Sequence, residues 1–389
     1  MKKYVFFIFL SLIMVSCNNK KKRSNTDLDD IEMAVAAESS MFLLVGTYTD
    51  TGSEGIYVYR FDTISGNSEL KSLARQDNPS YLNLSNDERF VYAVSEGEGD
   101  RAVVAAYSFD KGGDSLRLMN TMPTGGDAPC YVVADKDNRY LVTANYSGAS
   151  ISLFPLVADG SIGGEPKIFG FEGKGIHPER QKRPHLHCVQ FSPDDRYLYA
   201  TDLGTDRIYK FQTRDSGGGF LMKGEPESFK VADGSGPRHL TFHPDGKFAY
   251  LINEIGGTVI GFNYNEETGD LSEFQTIVAD TLHAQGSGDI HVSPDGKFLY
   301  ASNRLQGDGI AIFSIDRNTG KLENAGYQPT GIHPRNFVIS PNGKYLLVAN
   351  RDSNMIQVFL RNKATGLLET TGLNIELDKP VCLKFAHSY

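Results

Sequence analysis

Five ionisable residues, spread over the middle and C-terminal parts of the chain, could together activate water and stabilise an oxyanion: His187, Arg238, Glu254, Arg304 and Arg335. An uncharged histidine can accept a proton from water at physiological pH, and a glutamate can orient the imidazole or the water. Arginines stabilise a developing oxyanion and bind carboxylate or phosphate groups. Such distant residues can act together only if the fold brings them to one place, and a sequence repeat shows how it does so.

The repeat is about fifty residues long and consists of an apolar strand, a tight turn of the Ser-Pro-Asp-Gly-Lys kind and a second strand that ends in Asn or a similar residue. The clearest copies are VQFSPDDRYLYATD (Val189–Asp202), LTFHPDGKFAYLIN (Leu240–Asn253), HVSPDGKFLYASN (His291–Asn303) and FVISPNGKYLLVAN (Phe337–Asn350). Two weaker copies, Tyr81–Ser95 and Tyr131–Asn145, precede them. Repeats of this length, built from strands and turns, predict a β-propeller.

Each copy continues with two more predicted strands, because alternating apolar residues and Asn, Asp and Gly turns follow it. Six four-stranded units therefore run from about Pro79 to Leu377. The remaining segments complement one another: Met41–Tyr48, Gly55–Asp62 and Leu70–Gln76 resemble second, third and fourth strands, and Pro380–Ser388 resembles a first strand. Pairing them completes a seventh blade and removes a sheet edge. The predicted fold is an all-β, seven-bladed β-propeller over residues 41–389, with four antiparallel strands per blade.

In a propeller blade the first strand lines the central channel, and its start lies at the same rim as the end of the second strand. The residues that open the predicted first strands are Ser80, Pro129, His187, Arg238, Gly288, Arg335 and Val381. The residues that follow the second strands are Glu96, Tyr146, Leu203, Glu254, Arg304 and Arg351, with Tyr48 in the closing blade. A structural repeat position should carry similar residues in every blade, whereas these positions carry ionisable groups in only some blades.

We therefore expect four catalytic residues at one mouth of the channel, His187, Arg238, Glu254 and Arg304, with Arg335 beside them to bind substrate. Scattered charges on a polar rim are the alternative for any single residue. For the group that alternative is weaker, because three arginines around one mouth would repel one another without an anionic ligand.

The longest insertion, GFEGKGIHPERQKR (Gly170–Arg183), is predicted to reach the same rim. Lys182, Arg183 and the following His185 are candidate substrate-binding residues, because a basic loop over a basic mouth suits a carboxylate or phosphate. A solvated loop without such a role is the alternative. A Gly-rich connection, His283–Asp289, approaches from the opposite side. Asn303 is a further binding candidate, although the residues at its repeat position, Asn145, Asn253, Asn303 and Asn350, also suit the closing of turns.

Several common chemistries have no signature in this chain. There is no Cys/His metal spacing, no Gly-x-Ser-x-Gly elbow and no phosphate-binding Gly loop before a helix, so we expect neither a metal nor a cofactor. Cys130, Cys188 and Cys382 are predicted at one repeat position of the inner strands, as small buried hydrophobic residues. The net charge of −9 argues against nucleic-acid binding.

The N-terminal segment is not expected to belong to the fold. Residues 1–17 have the basic head and short apolar run of a signal peptide, and the run is too short to span a bilayer. Ser16-Cys17 resembles the lipobox of bacterial lipoproteins, which would make Cys17 the lipidated residue; an ordinary secretory peptide is the alternative. Residues 18–40 are polar and predict a flexible tether. We therefore expect a lipoprotein on the periplasmic side of a bacterial membrane, held to that membrane only by its lipid.

Four motifs are specific when they are taken together and in this order: PHLHCVQFSPD (Pro184–Asp194), GSGPRHLTFHPDGKFAYLINE (Gly234–Glu254), IHVSPDGKFLYASNR (Ile290–Arg304) and HPRNFVISPNGKYLLVANR (His333–Arg351). With these motifs the chain resembles the propeller-type lactonases, from about Phe42 to the C-terminus. This family includes the seven-bladed 6-phosphogluconolactonases of bacteria and, more distantly, the fungal carboxy-muconate lactonising enzymes. The resemblance implies that His187, Arg238, Glu254 and Arg304 match the proposed catalytic positions of the fungal relatives.

The resemblance also implies a function: hydrolysis of a small anionic sugar lactone to the open acid, with no cofactor. Two alternatives remain open at the sequence level, an exported non-catalytic propeller that binds an anionic ligand or protein, and a muconate-type lactonising enzyme. The export signal conflicts with 6-phosphogluconolactone itself, which belongs to a cytoplasmic pathway, so the particular lactone stays open. Glu254 argues against simple anion binding, because its charge would oppose the ligand.

Overall fold

The computed structural model describes residues 40–214 and 219–388, which form seven antiparallel sheets of four strands each. The fold is therefore the predicted seven-bladed propeller. One 3-10 turn, Gly99–Arg101, is the only helical element of the described residues, and none of them forms a helix that could cross a membrane. The predicted signal peptide with Cys17, and the tether up to residue 39, lie outside the described residues.

The ring is closed by strands from the two ends of the described chain. Strands β1 (Ser40–Thr47), β2 (Gly55–Asp62) and β3 (Ser68–Arg75) form one sheet with the last strand, β28 (Pro380–His387). β28 runs antiparallel to β1 on the channel side, with Phe42 opposite Ala386 and Val45 opposite Leu383. This pairing confirms the closure predicted from the two incomplete segments.

The other six blades follow in chain order, each beginning with the strand at the channel. Blades one and two contain β4 (Leu82–Leu84), β5 (Phe90–Ser95), β6 (Val103–Asp110), β7 (Ser115–Pro123), β8 (Pro129–Ala134), β9 (Tyr140–Asn145), β10 (Ser150–Pro155) and β11 (Lys167–Gly170). Blades three and four contain β12 (Leu186–Phe191), β13 (Tyr197–Asp202), β14 (Arg207–Thr213), β15 (Leu221–Lys230), β16 (Pro237–Phe242), β17 (Phe248–Asn253), β18 (Thr258–Tyr264) and β19 (Leu271–Val278). Blades five and six contain β20 (Ile290–Val292), β21 (Phe298–Asn303), β22 (Gly309–Ile315), β23 (Leu322–Pro329), β24 (Pro334–Ile339), β25 (Tyr345–Asn350), β26 (Met355–Arg361) and β27 (Leu368–Glu376).

A tyrosine in the second strand ties each of four blades to its neighbour. Tyr92, Tyr199, Tyr250 and Tyr300 are fully buried. Each donates its hydroxyl to the carbonyl of a turn glycine in the next blade, as Tyr250 does to Gly320 at 2.7 Å. A buried phenol needs such an acceptor, so the repeated Tyr of the sequence motif both fills the space between blades and fixes their spacing.

The first strands of several blades contain a β-bulge at the end that opens on the mouth. In β12 the pairing with β13 passes directly from Leu186 to Cys188, which leaves His187 as the extra residue. Arg238 in β16 and Arg335 in β24 occupy the same position. A bulge re-aims the side chain of the extra residue, so one local irregularity directs these side chains differently from the rest of each strand.

The bulge corrects two details of the sequence comparison. In β8 the extra residue is Cys130, so the equivalent of His187 in blade two is Cys130 and not Pro129. Cys130 therefore does not share the repeat position of Cys188 and Cys382. The sequence comparison chose the residue one position too early in this blade, since Cys130 precedes Arg139 by the same nine residues by which His187 precedes Arg196. All three thiols are buried and unpaired by disulfides, as predicted.

Candidate active site

Glu254 is the centre of the charged cluster at the mouth. It directly follows β17, it is 7% exposed, and its backbone N–H donates to the carbonyl of Gly236 at 2.7 Å. Its Oε2 accepts hydrogen bonds from Arg238 Nε at 2.8 Å and pairs with Arg304 Nη2 at 3.1 Å. Burial alone would raise the pKa of Glu254, but Arg304 and Arg238 hold it well below its usual range. Glu254 is therefore an ionised anchor for the arginines around it.

The connection between blades four and five holds the same two arginines through its backbone carbonyls. Arg304 Nε donates to Gly286 O at 2.6 Å and Nη2 donates to Ser287 O at 3.1 Å. Arg238 Nη1 donates to Gly288 O at 2.9 Å. Burial lowers the pKa of Arg304 to about 9, against the effect of Glu254, so the guanidinium stays charged at neutral pH. The Gly-rich connection thus reaches the mouth as expected, and it orients both cations.

His187 lies beside this cluster with one ring nitrogen unoccupied. Its Nε2 is 3.9 Å from Glu254 Oε2, which is too long for a hydrogen bond, and Nδ1 is 3.7 Å from Cys130 Sγ. Burial, followed by the charge of Arg238, lowers the pKa of His187 well below its usual value. At neutral pH the imidazole is therefore uncharged, and its Nε2 makes no hydrogen bond within residues 40–214 and 219–388.

Arg335 completes the ring of cations but is bound more loosely. Its Nη2 lies 3.6 Å from Glu96 Oε2, and its guanidinium carbon lies 5.2 Å from the centre of the Tyr48 ring. The Tyr48 hydroxyl donates to the same Glu96 oxygen at 2.9 Å. Burial would lower the pKa of Arg335, but Tyr48 and Glu96 raise it. Since Arg335 makes no hydrogen bond to a described residue, its N–H groups remain available for an anion.

An aromatic wall flanks His187 on the side of blade two. The Tyr146 ring packs edge-on against His187, with centroids 5.3 Å apart, and stacks on His185 at 4.4 Å. His185 Nδ1 lies 3.0 Å from the Tyr146 carbonyl oxygen, to which it donates, and the His185 backbone N–H donates to Asp202 Oδ1 at 2.7 Å. His185 is thus placed next to the site, where it supports Tyr146.

The long insertion contributes a residue that the sequence comparison did not select. Gln181, which is 1% exposed, donates from Nε2 to Leu203 O at 2.9 Å and to Asp206 Oδ1 at 2.8 Å. Because Gln181 is held in this way, the neighbouring Arg180 reaches Glu254, and Arg180 Nη2 lies 2.5 Å from Glu254 Oε1. Glu254 therefore binds three guanidinium groups, and Arg180 covers one edge of the mouth.

The other candidates of the insertion and the rim lie elsewhere. Lys182 is exposed and pairs with Glu179 at 2.7 Å, and the side chain of Arg183 is exposed as well. Asn303 accepts a hydrogen bond from Ser287 Oγ at 2.7 Å and donates to Ala279 O at 2.7 Å. Both ends of its amide are used by the protein, in agreement with the turn-closing alternative. The sequence offered no signal to separate Arg180 from its basic neighbours, because the fold of the insertion depends on Gln181.

Among residues 40–214 and 219–388, no group of three or more His, Cys, Asp or Glu side chains could hold a metal ion. The mouth brings together an uncharged histidine, an ionised carboxylate and four guanidinium groups. Such a set can accept a proton from water and stabilise negative charge.

Fold and site together define a seven-bladed propeller whose mouth carries a buried histidine, a glutamate and four arginines. The model of the family described as "Lactonase, 7-bladed beta-propeller" matches residues 42–385. The chain belongs to this family.

Relatives and solved structures agree with this assignment. A Bacillus subtilis 6-phosphogluconolactonase is 37% identical over 349 residues, which cover 88% of this chain and 97% of its own. A Formosa agariphila 6-phosphogluconolactonase is 38% identical, with coverages of 84% and 94%. The structure of the Pseudomonas aeruginosa periplasmic gluconolactonase superimposes with a TM-score of 0.84 at 35% identity, covering 89% and 99% of the two chains. A Bacteroides fragilis structure assigned as a 6-phosphogluconolactonase gives a TM-score of 0.87 at 55% identity, covering 90% and 99%.

Proposed function

We propose that the protein hydrolyses the ring ester of a sugar-acid lactone, of the 6-phosphogluconolactone kind, to the open acid. The observation that carries this proposal is the uncharged His187, whose open Nε2 lies 3.9 Å from the ionised Glu254. Membership of the lactonase family supports the reaction class. The names of the relatives, 6-phosphogluconolactonase and gluconolactonase, support a sugar acid as the substrate.

In the proposed reaction His187 is the general base. As a water oxygen bonds to the lactone carbonyl carbon, Nε2 accepts the water proton, so Nδ1 must carry the hydrogen of the neutral ring and direct it toward Cys130 Sγ. The tetrahedral intermediate collapses with cleavage of the bond between the carbonyl carbon and the ring oxygen. The imidazolium then returns the proton to the departing oxygen. Glu254 stabilises the imidazolium that forms in between, because its charge faces Nε2.

The arginines divide into two groups in this scheme. Arg238 and Arg304 already bind Glu254 and backbone carbonyls, so they hold the site in shape and supply a positive field. Arg335 retains free N–H groups, and we assign it to the anionic group of the substrate. A substrate with a carboxylate or phosphate would displace the long contact between Arg335 and Glu96.

A titration of released acid at constant pH tests the function. The purified protein is supplied with 6-phosphogluconolactone and with gluconolactone, which lacks the phosphate and is uncharged. A sample without protein corrects for spontaneous hydrolysis, and the His187→Ala variant tests the base. Faster opening of a sugar lactone by the wild type alone supports the proposal. Conversion of a carboxy-muconate to its lactone would support the lactonising alternative. Anion binding without turnover of any of these compounds would support a binding propeller and refute the enzyme.

For localisation we propose that residues 1–17 direct export and that Cys17 carries the lipid, on the periplasmic side of the membrane. The similar Pseudomonas aeruginosa protein is described as periplasmic. The position of β1 suits such an anchor. Its first residue, Ser40, pairs with Asp62, just before the turn that contains Ile64. This turn lies next to the turn between the first two strands of blade six, because the Tyr345 hydroxyl donates to the Ile64 carbonyl at 2.8 Å. The chain therefore enters at the face opposite the mouth, which would leave the mouth open to solvent.

The anchor is tested by Cys17→Ser. Lipidated wild type should sediment with membranes and gain the mass of the lipid, whereas the variant should appear in the soluble periplasmic fraction with unchanged lactonase activity. A membrane-bound variant, together with a wild type of unmodified mass, would refute lipidation at Cys17.

A further inference from the structure

A buried carboxylate in the channel, behind the mouth, fixes the ring of His239. His239 directly follows Arg238 in β16, is 5% exposed, and donates from Nδ1 to Asp289 Oδ1 at 2.7 Å. Asp289 also accepts hydrogen bonds from His291 Nε2 at 2.8 Å and from Asn336 Nδ2 at 2.5 Å. Three blades therefore share one carboxylate, and the imidazole of His239 has a single defined orientation.

The guanidinium of Arg238 rests on the face of this imidazole. Arg238 Nη1 lies 3.1 Å from Nε2 and 3.4 Å from Nδ1 of His239. An atom in the ring plane that donated to one nitrogen would be far from the other, so an atom almost equidistant from both lies above the ring. Arginine stacks on aromatic faces in this way, and the contact is strongest where water is excluded.

The same ring also touches the proposed base. The centroids of His239 and His187 are 5.3 Å apart, and their planes meet at 72°. The Tyr131 ring also packs against His239, with centroids 5.3 Å apart and planes that meet at 80°. Burial, followed by the charge of Arg238, lowers the pKa of His239 to about 3, so the ring is uncharged while the cation lies on it.

We propose that His239 is a positioning residue, an uncharged platform that is oriented by Asp289, carries the Arg238 guanidinium on its face and packs against the ring of His187. The contacts of Arg238 follow from this position. Arg238 Nη1 lies over the His239 ring and donates to Gly288 O. In this position the Nε–H of Arg238 points to Glu254 and donates to it. The effect of His239 on turnover rests on the proposed lactonase function, whereas its effect on Arg238 does not.

Three variants separate the platform from the hydrogen bond. His239→Asn keeps a donor for Asp289 but removes the ring, and His239→Phe keeps a ring but removes the donor. His291→Gln is the matched control, because His291 binds the same carboxylate but does not contact Arg238. We expect His239→Asn to lower kcat/KM about tenfold, mostly through kcat. His239→Phe should be the less stable variant but retain more activity per folded molecule than His239→Asn, and His291→Gln should stay within about twofold of the wild type.

A second measurement does not depend on activity. In the 15N-edited NMR spectrum, the Nε–H signal of Arg238, identified by its loss in Arg238→Lys, should shift in His239→Asn and stay near its wild-type position in His291→Gln. An unshifted Arg238 signal in His239→Asn would overturn the platform whether or not the protein is a lactonase. Wild-type turnover in His239→Asn would overturn its role in the reaction. Absence of lactone hydrolysis by the wild type would refute the proposed function and leave the NMR result to decide on the platform.

Discussion

Arg238 Nε and Glu254 Oε2 lie 2.8 Å apart at the mouth of the channel, and both residues are buried. This ion pair changes how the cluster of arginines is interpreted. The sequence suggested that clustered arginines need an anionic ligand, whereas the protein itself supplies an anion, Glu254, to Arg238, Arg304 and Arg180. The positive charges of these three arginines are therefore partly compensated without a ligand, and we assign the recognition of an anionic substrate to the loosely held Arg335.

The first prediction concerns Glu254→Gln. Removing one partner of a buried ion pair leaves the other charge uncompensated and typically costs about 3–5 kcal/mol. We expect the free energy of unfolding, measured with urea, to fall by about that amount, and the remaining folded protein to lose most of its activity. Glu96→Gln is the control, because Glu96 is more exposed and contacts Arg335 only at 3.6 Å. A Glu254→Gln protein as stable as Glu96→Gln would contradict the anchor.

The second prediction concerns His187→Ala. Loss of a positioned base typically lowers turnover about 10²–10⁴-fold, and substrate binding should change little. His185→Phe is the control, because it keeps an aromatic ring next to Tyr146 but removes a neighbouring imidazole, and it should retain most activity.

The pH profile gives an independent check on the same residue. Burial lowers the pKa of His187, so the acidic limb of the wild-type profile should lie below the ordinary histidine value of about 6.5. The residual activity of His187→Ala should lack this limb. A limb that persists in the variant would assign the proton transfer to another group.

The fold could be predicted almost completely because each repeat carries its information locally. An apolar strand, a turn and a strand that ends in Asn recur with little change, and the incomplete segments at the two ends complement each other, as in the pairing of Phe42 with Ala386. The rim positions followed from the same repeat, because a structural position that varies between blades indicates a site. The bulge at these positions could not be predicted, since a bulge is defined by the partner strand and not by the sequence that contains it.

The rest of the site depends on contacts between distant parts of the chain. Arg180 reaches Glu254 only because Gln181 is anchored to Asp206, and nothing in the basic loop distinguishes Arg180 from Lys182 before that contact is known. The orientation of Arg238 likewise depends on His239. Composition identifies such residues as charged, but only tertiary packing decides which of them contact one another.

The third prediction concerns Arg335. A charge-assisted contact contributes about 1.5–3 kcal/mol, so Arg335→Ala should raise KM about 10- to 100-fold for a lactone that bears a carboxylate or phosphate. An uncharged lactone should be affected much less, and Arg335→Lys should recover only part of the loss, because the planar fork is missing. Lys182→Ala is the control and should behave as wild type. An unchanged KM in Arg335→Ala for the anionic lactone would place the anion elsewhere.

The fourth prediction concerns ring closure. Deleting the residues from Pro380 onward removes β28 and exposes the edge of β1, so the melting temperature of the whole domain should fall and the protein should tend to aggregate. Removal of Tyr389 alone is the control and should leave the melting temperature unchanged. A truncated protein that melts like the full chain would show that the seventh blade does not need its C-terminal strand.

The last prediction concerns stability as a function of pH. His187, His239 and His333 are buried, and burial lowers the pKa of each, to about 3 for His239 and His333. In the unfolded chain histidines titrate near about 6.5, so between these values the unfolded state binds more protons than the folded state. Lowering the pH below about 6.5 should therefore destabilise the protein by up to about 1.4 kcal/mol per pH unit for each of these histidines.

Urea unfolding at a series of pH values between about 4.5 and 7 measures this slope, in a range above the pKa of an unfolded glutamate. The pKa of Glu254 is lowered in the folded protein, so Glu254 binds a proton on unfolding only at a pH below that range. Its contribution to the loss of stability is therefore confined to this lower pH. Replacing one of the three histidines, as in His333→Gln, should reduce the slope by the contribution of one proton. A pH-independent free energy of unfolding would show that burial does not lower the pKa of these histidines, and a slope that does not change in His333→Gln would show the same for His333 alone.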